Sequence, residues 1–169
     1  MSTTSRVELE QLVDWRAAFI AGLVAGLVFL IAEMLGQALI VGQSPWIYPH
    51  YTGALILGTD VLLDDISAIS VIVGILLHFV ISVIYTLVLA AIIHEWELPV
   101  GVIVGLLFGL AVYAINHFTF TRFFPWFYPI NNWLEIATHL LFGLTAGTVY
   151  ELLEVERFVR VEKTEAAEE

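Results

Sequence analysis

Six polar side chains, Glu33, Gln37, His78, His117, Glu135 and His139, stand inside stretches otherwise made of Leu, Ile, Val, Ala, Phe and Gly. Histidine supplies a nitrogen donor and glutamate an oxygen donor with compensating charge, a set that suits Zn, Fe, Mn or Cu. Glu135 and His139 are four residues apart, which on a helix stacks them on one face, as two ligands of one ion would be. His78, Ser82 and Tyr85 share a face in the same way. An ExxxH spacing is common by chance, and its weight here comes from its apolar surroundings, where ionisable groups are costly and are paired or functional. The first reading is therefore a transition-metal site in which His78, His117 and His139 ligate the ion. Glu135 and Glu33 complete the shell, with Gln37, Asn116, Ser82 and Tyr85 hydrogen-bonding behind it.

Three other readings stay open. His78 and His139 could ligate a b-type haem between two facing helices, with Gly36, Gly74 and Gly143 making room for it. The same groups could form a proton or small-solute pathway, because histidine titrates near neutrality and a neighbouring carboxyl can relay its proton. They could also only hold helix register in a structural or accessory subunit. No Ser/His/acid arrangement, phosphate-binding glycine loop or HExxH is present, so an enzyme is not the default expectation. The absence of cysteine excludes thiolate sites, iron–sulfur clusters and c-type haem. His50, in a loop, and His94, at a span end, are expected in solvated positions, and Tyr113 and Tyr150 as packing residues.

The elements that carry these groups follow from hydropathy. Of 169 residues, 60% are hydrophobic and 14% charged, and the charges crowd into the ends and short connections. Four apolar runs, Ala17 to Val41, Ile66 to Ile93, Pro99 to Thr121 and Trp133 to Leu153, each reach the roughly 20 helical residues that span a bilayer core. None alternates with period two as barrel strands do. The expected fold is an all-α integral membrane protein with a four-helix transmembrane domain over residues 17–153. It is preceded by an N-terminal segment, 1–16, and followed by an acidic, solvated tail, 154–169. The first run is too long for a signal peptide and is expected to stay in the mature chain. Loop 42–65 contains a shorter apolar stretch, Thr52 to Leu63, that reads as interfacial or re-entrant.

Arg6, Arg16, Arg157, Arg160 and Lys163 flank the termini, against Arg122 alone on the opposite side, which predicts both termini in the cytoplasm and an inner (plasma) membrane location. Trp46, Tyr48, Tyr51, Trp126, Tyr128 and Trp133 then belong to the outer interface. At about 1.5 Å per residue, the six polar groups fall roughly 5 to 16 Å below that interface, on one side of the membrane. The net charge of −11 argues against nucleic acid as a partner. The partner expected is the lipid bilayer, with a homo-oligomer or a larger membrane complex permitted by the apolar faces.

One phrase occurs twice: Pro45-Trp46-Ile47-Tyr48-Pro49 after the first run and Pro125-Trp126-Phe127-Tyr128-Pro129 after the third. Aligning the preceding runs pairs Gly22 with Gly101, Gly26 with Gly105, Phe29 with Phe108 and Gln37 with Asn116, and the following runs pair His78 with His139. This predicts two parallel-repeat helical hairpins with pseudo-twofold symmetry along the membrane normal, the second and fourth spans facing each other. The GxxxG patterns Gly22/Gly26 and Gly101/Gly105 predict close helix packing.

With Gly22-Leu23-Val24-Ala25-Gly26, Ser44-Pro45, His78 with Ser82, His117, and Glu135, His139 and Glu151 in this order, the chain resembles the YagU-like proteins of bacterial inner membranes. The resemblance runs from about Gly22 to Glu151. It implies a small inner-membrane protein with a contribution to acid tolerance, and gives weight to His78, His117, Glu135 and His139. The position of Glu33 is not consistently acidic in that family.

Overall fold

The computed structural model describes residues 4–130 and 132–165. Four helical segments are long and apolar enough to cross a membrane: Trp15–Val41, Ala68–Ile93, Leu98–Phe123 and Trp133–Leu153. They lie within two residues of the boundaries expected from hydropathy. Helix α1 (Trp15–Gly36) starts at Asp14, whose carboxylate accepts from the backbone N–H of Arg16 (3.0 Å) and Ala17 (3.1 Å). That is the arrangement that satisfies otherwise orphaned first-turn donors. Ser67 caps α3 (Ala68–Ile93) and Asn132 caps α6 (Trp133–Leu153) in the same way, while Pro99 sits in the first turn of α4 (Leu98–Ile115), where its missing N–H costs nothing.

Helices α1 and α4 each end in a π-helical turn, Gln37–Val41 and Asn116–Phe120, the latter continuing into the short α5 (Thr121–Phe123). The turns begin at Gln37 and Asn116, the two residues paired by the repeat in the sequence. A π turn inserts one residue into the ladder and re-aims the side chains around it, a device frequent at functional sites.

The shorter apolar stretch does not run from Thr52 to Leu63 as one segment. A helix, α2 (Ile47–Leu57), forms earlier and stops at Gly58, whose φ of 87° breaks it, and a 3-10 turn follows at Thr59–Leu62. Helix α2 folds back onto α3. A Cβ at Gly74 would strike the Pro49 carbonyl, and one at Gly53 the Ser70 carbonyl, so both positions need glycine for the backbones to approach. This contact buries His50, which is 3% exposed and hydrogen-bonds Ser70 Oγ through Nδ1 at 2.6 Å. The expectation of a solvated His50 is therefore corrected.

The expectation of helices alone also needs correction. Thr4–Gln11 (β1) and Phe158–Glu165 (β2) pair as an antiparallel ribbon, from Thr4 opposite Glu165 to Gln11 opposite Phe158. Both stretches, VELEQ and FVRVE, alternate apolar and charged residues with the period of a strand. Leu12 N–H donates to Arg157 C=O (2.8 Å), and Asp14 Oδ2 accepts from Val155 N–H (3.2 Å), continuing the clasp down to the first and fourth spans. The two ends of the chain are thus on the same side of the bundle.

The closest helix pair is α4 with α6. A Cβ at Gly105 would meet the Gly143 carbonyl, one at Gly143 the Gly105 carbonyl, and one at Gly147 the Gly101 carbonyl. Between α1 and α3, Gly26 faces the Ser82 side chain. Where lipid replaces water, such close packing rather than hydrophobic burial holds helices together. The fourth span packs on the first and third, and meets the second only over a short stretch, so the spans expected to face each other do so only marginally. Helices α3 and α4, joined by a short turn, also barely touch.

The half of the bundle nearer the chain ends has an apolar core. Ala17, Ala18, Ala21 and Ala25 of α1 meet Leu89, Ala90 and Ile93 of α3 and Phe142, Ala146 and Tyr150 of α6. On the outside, Ile72, Leu76, Val80, Ile84, Val88 and Ile92 form an exposed stripe four residues apart along α3, as a lipid-facing surface requires.

Candidate functional site: a polar chamber in the outer half

The polar residues singled out from the sequence do collect in one half of the bundle, and most are buried: Glu33 and Gln37 at 0% exposure, His78 and His139 at 6%, Glu135 at 8%. They fall into two groups. Where α1 meets α6, Glu33 and Glu135 are both buried, and their carboxyl groups are near enough to interact electrostatically. Gln37, one turn beyond Glu33, donates from Nε2 to Glu33 Oε1 at 2.7 Å. One oxygen on each carboxyl, Glu33 Oε2 and Glu135 Oε1, is buried with no hydrogen-bond donor. Buried polar atoms are almost always paired. Gln37 Oε1 is a third such atom in the same cluster.

The histidines are already engaged. His139 Nδ1 donates to the Glu135 carbonyl at 2.6 Å, and its Nε2 therefore carries the lone pair that accepts from Asn116 Nδ2 at 3.0 Å. His139 Nδ1 also lies 3.7 Å from Glu135 Oε2. His78 Nε2 donates to the Gly26 carbonyl at 2.9 Å, with Ser82 Oγ beyond at 3.4 Å, which leaves Nδ1 as the lone-pair nitrogen. Phe29 stands between the two rings, its centroid 5.1 Å from His78 and 5.0 Å from His139. His117 sits apart on the third span, stacked on Tyr113 at 5.4 Å.

This geometry does not match the metal and haem expectations. Among the described residues no three His, Asp or Glu side chains are grouped closely enough to hold an ion. The reason is local: a carbonyl occupies His78 Nε2, an amide occupies His139 Nε2, and His117 is turned to Tyr113. The Phe29 ring lies against both imidazoles. Gly36 faces Leu134, Gly74 faces Pro49 and Gly143 faces Gly105, so each glycine admits a neighbouring chain rather than a cofactor. Of the supporting residues, Gln37 and Asn116 do hydrogen-bond Glu33 and His139, Ser82 lies beside His78, and Tyr85 stacks edge-on against Phe108 at 6.4 Å.

A cleft of about 110 Å³ adjoins the chamber where α3 and α4 separate. His78 and His139 form its floor on the bundle side, with Glu135 and Asn116 beside them, and Tyr113 and His117 line the α4 wall. Tyr48 and Phe127, one from each aromatic–proline phrase, also line it, and next to Phe127 the Trp126 Nε1–H donates to the Tyr51 carbonyl at 3.3 Å. Sequence reasoning missed Phe29 as the ring lying against both imidazoles and treated Tyr113 as packing alone. The alignment of Phe29 with Phe108 was the available signal that both are ring neighbours of the polar faces.

Comparison of the chain with protein-family models, with curated proteins and with solved structures gives no match. What the fold defines is a helical protein with four membrane-spanning segments. Its polar chamber has to be read from its own geometry.

Proposed function

We propose that this is a proton-exchanging membrane protein, in which Glu33 and Glu135 share a proton at the α1–α6 contact and pass it to a solute in the adjoining cleft. The observation that carries this reading is the pair of orphaned carboxyl oxygens in a site closed to solvent. Like charges near each other, far from water, cannot both persist, and one shared proton removes the conflict. His139 positions Glu135, with its Nδ1–H 3.7 Å from Glu135 Oε2, and Asn116 holds His139 through Nε2. Gln37 fixes Glu33 from behind.

In this reading both termini face the cytoplasm of an inner membrane and the chamber lies toward the outside, supported by the five Lys and Arg residues at the ends against one in the outer loops. The bundle derives from a duplicated hairpin, supported by the doubled aromatic phrase and by π turns that start at the paired residues Gln37 and Asn116. The resemblance to YagU-like proteins, with its link to acid tolerance, agrees with proton chemistry. The direct test is proton movement in liposomes carrying an imposed pH gradient. Wild-type protein should dissipate the gradient faster than empty liposomes and Glu135→Gln should not. Equal rates for wild type and Glu135→Gln would sink the proposal.

A further inference from the structure

The cleft between α3 and α4 has walls and an outlet that select a class of ligand. It is lined by Ile81 and Tyr85 of α3 and by Tyr113 of α4, two spans that barely touch, so the seam between them is the side from which a membrane-dissolved molecule would enter. That seam faces the bilayer. The cavity, about 110 Å³, is of the order of an engineered cavity of about 150 Å³ that accepts benzene. It therefore holds one ring rather than a folded chain. The walls offer flat aromatic faces from Tyr48, Tyr113 and Phe127, and polar groups of both kinds from Asn116, His78 and Glu135. His78 Nδ1, the nitrogen not engaged with Gly26, can accept from a hydroxyl, and a carbonyl oxygen can accept a hydrogen bond from a protonated Glu135.

We propose that the cleft is a lateral binding site for a lipid-soluble molecule whose head is a single ring bearing carbonyl or hydroxyl oxygens, the chemistry of quinones and quinols. The head lies among Tyr48, Tyr113 and His78, and the tail leaves between α3 and α4 into lipid. A phospholipid acyl chain would fill the volume but leave the polar groups without partners, a cost that a ring with oxygens at its edge avoids. This inference rests on the proton-exchange reading for the purpose of the site, and on the cleft alone for its shape.

The test is equilibrium partitioning of labelled decylubiquinone into nanodiscs with and without the full chain. Saturable binding of one molecule per chain is expected. Ile81→Trp on α3 and Leu55→Trp on α2, both at residues that line the cleft, should each weaken it at least about tenfold, or about 1.4 kcal/mol. Leu76→Trp, on the exposed face of α3, should leave it unchanged, and because the two filling variants sit on different helices, failure of one to fold leaves the other to decide. Uptake no greater than in empty nanodiscs overturns the proposal, as does binding that neither filling variant weakens, or a tightly held phospholipid that the probe does not displace. If the probe fails while Glu135→Gln still abolishes proton movement, the ligand class falls and the proton reading stands.

Discussion

Two seams of the bundle, α1 against α6 and α3 against α4, would be equivalent under a true pseudo-twofold. They are not. Where α1 meets α6 the seam is tight, filled by Phe29, Phe142, Glu33 and Glu135. Where α3 meets α4 the seam is open and holds the cleft. In the proposed reading, the α1–α6 seam holds the shared proton and the cleft beside α3 and α4 takes the solute. The imbalance traces to sequence that the repeat does not share, because about nineteen extra residues in the first half build α2, which packs on α3 and has no counterpart on α6.

Several substitutions should sharpen or break this contrast. The largest effect is expected at the pivot of the second hairpin. Gly143→Leu drives a side chain into the Gly105 carbonyl and should destabilise the bundle by more than about 3 kcal/mol in reversible unfolding from micelles, since backbone cannot move aside. Next comes the closed seam. Glu135→Ala removes the partner of Glu33 while leaving that carboxyl buried, and should cost about 1 to 3 kcal/mol, with Glu135→Gln recovering part of it. A loss below a few tenths there would mean that the pair is hydrated and the seam is not closed.

The clasp at the chain ends should contribute less. Asp14→Ala removes the α1 cap and should cost about 1 kcal/mol at neutral pH. The backbone N–H of Ala17, first among several donors, holds the Asp14 carboxyl below its ordinary range. Because the folded value is depressed, this contribution is fully present above the unfolded aspartate value of about 3.9 and is lost as pH falls through the folded value. Wild-type and Asp14→Ala stability should therefore converge in strong acid. The smallest effect is expected at the open seam, where Ile81→Ala should cost less than about 1 kcal/mol, because it enlarges existing space rather than creating a new void. A loss as large as that of Glu135→Ala would show that the cleft is packed shut in the membrane.

Much of the fold was legible because a bilayer leaves few choices. The four spans, their limits and the crowding of Glu33, Gln37, His78, Glu135 and His139 into one half all follow from apolar run length and helical rise. Other features were not legible for physical reasons. The ribbon of Thr4–Gln11 with Phe158–Glu165 depends on pairing across the whole chain, and its charged residues read as a solvated tail. His50 is buried only because Gly53 and Gly74 let α2 lie against α3. The site chemistry was misjudged because composition names donors without saying what they already touch. His78 and His139 suit a metal or haem until Gly26, Asn116 and Phe29 are placed around them.

The central claim, that Glu33 and Glu135 hold one proton between them, can be measured by infrared spectroscopy of reconstituted protein with isotope-labelled glutamate. The account predicts a protonated carboxyl band at neutral pH that Glu33→Gln and Glu135→Gln each shift or remove. No such band, or one that neither substitution moves, would contradict it.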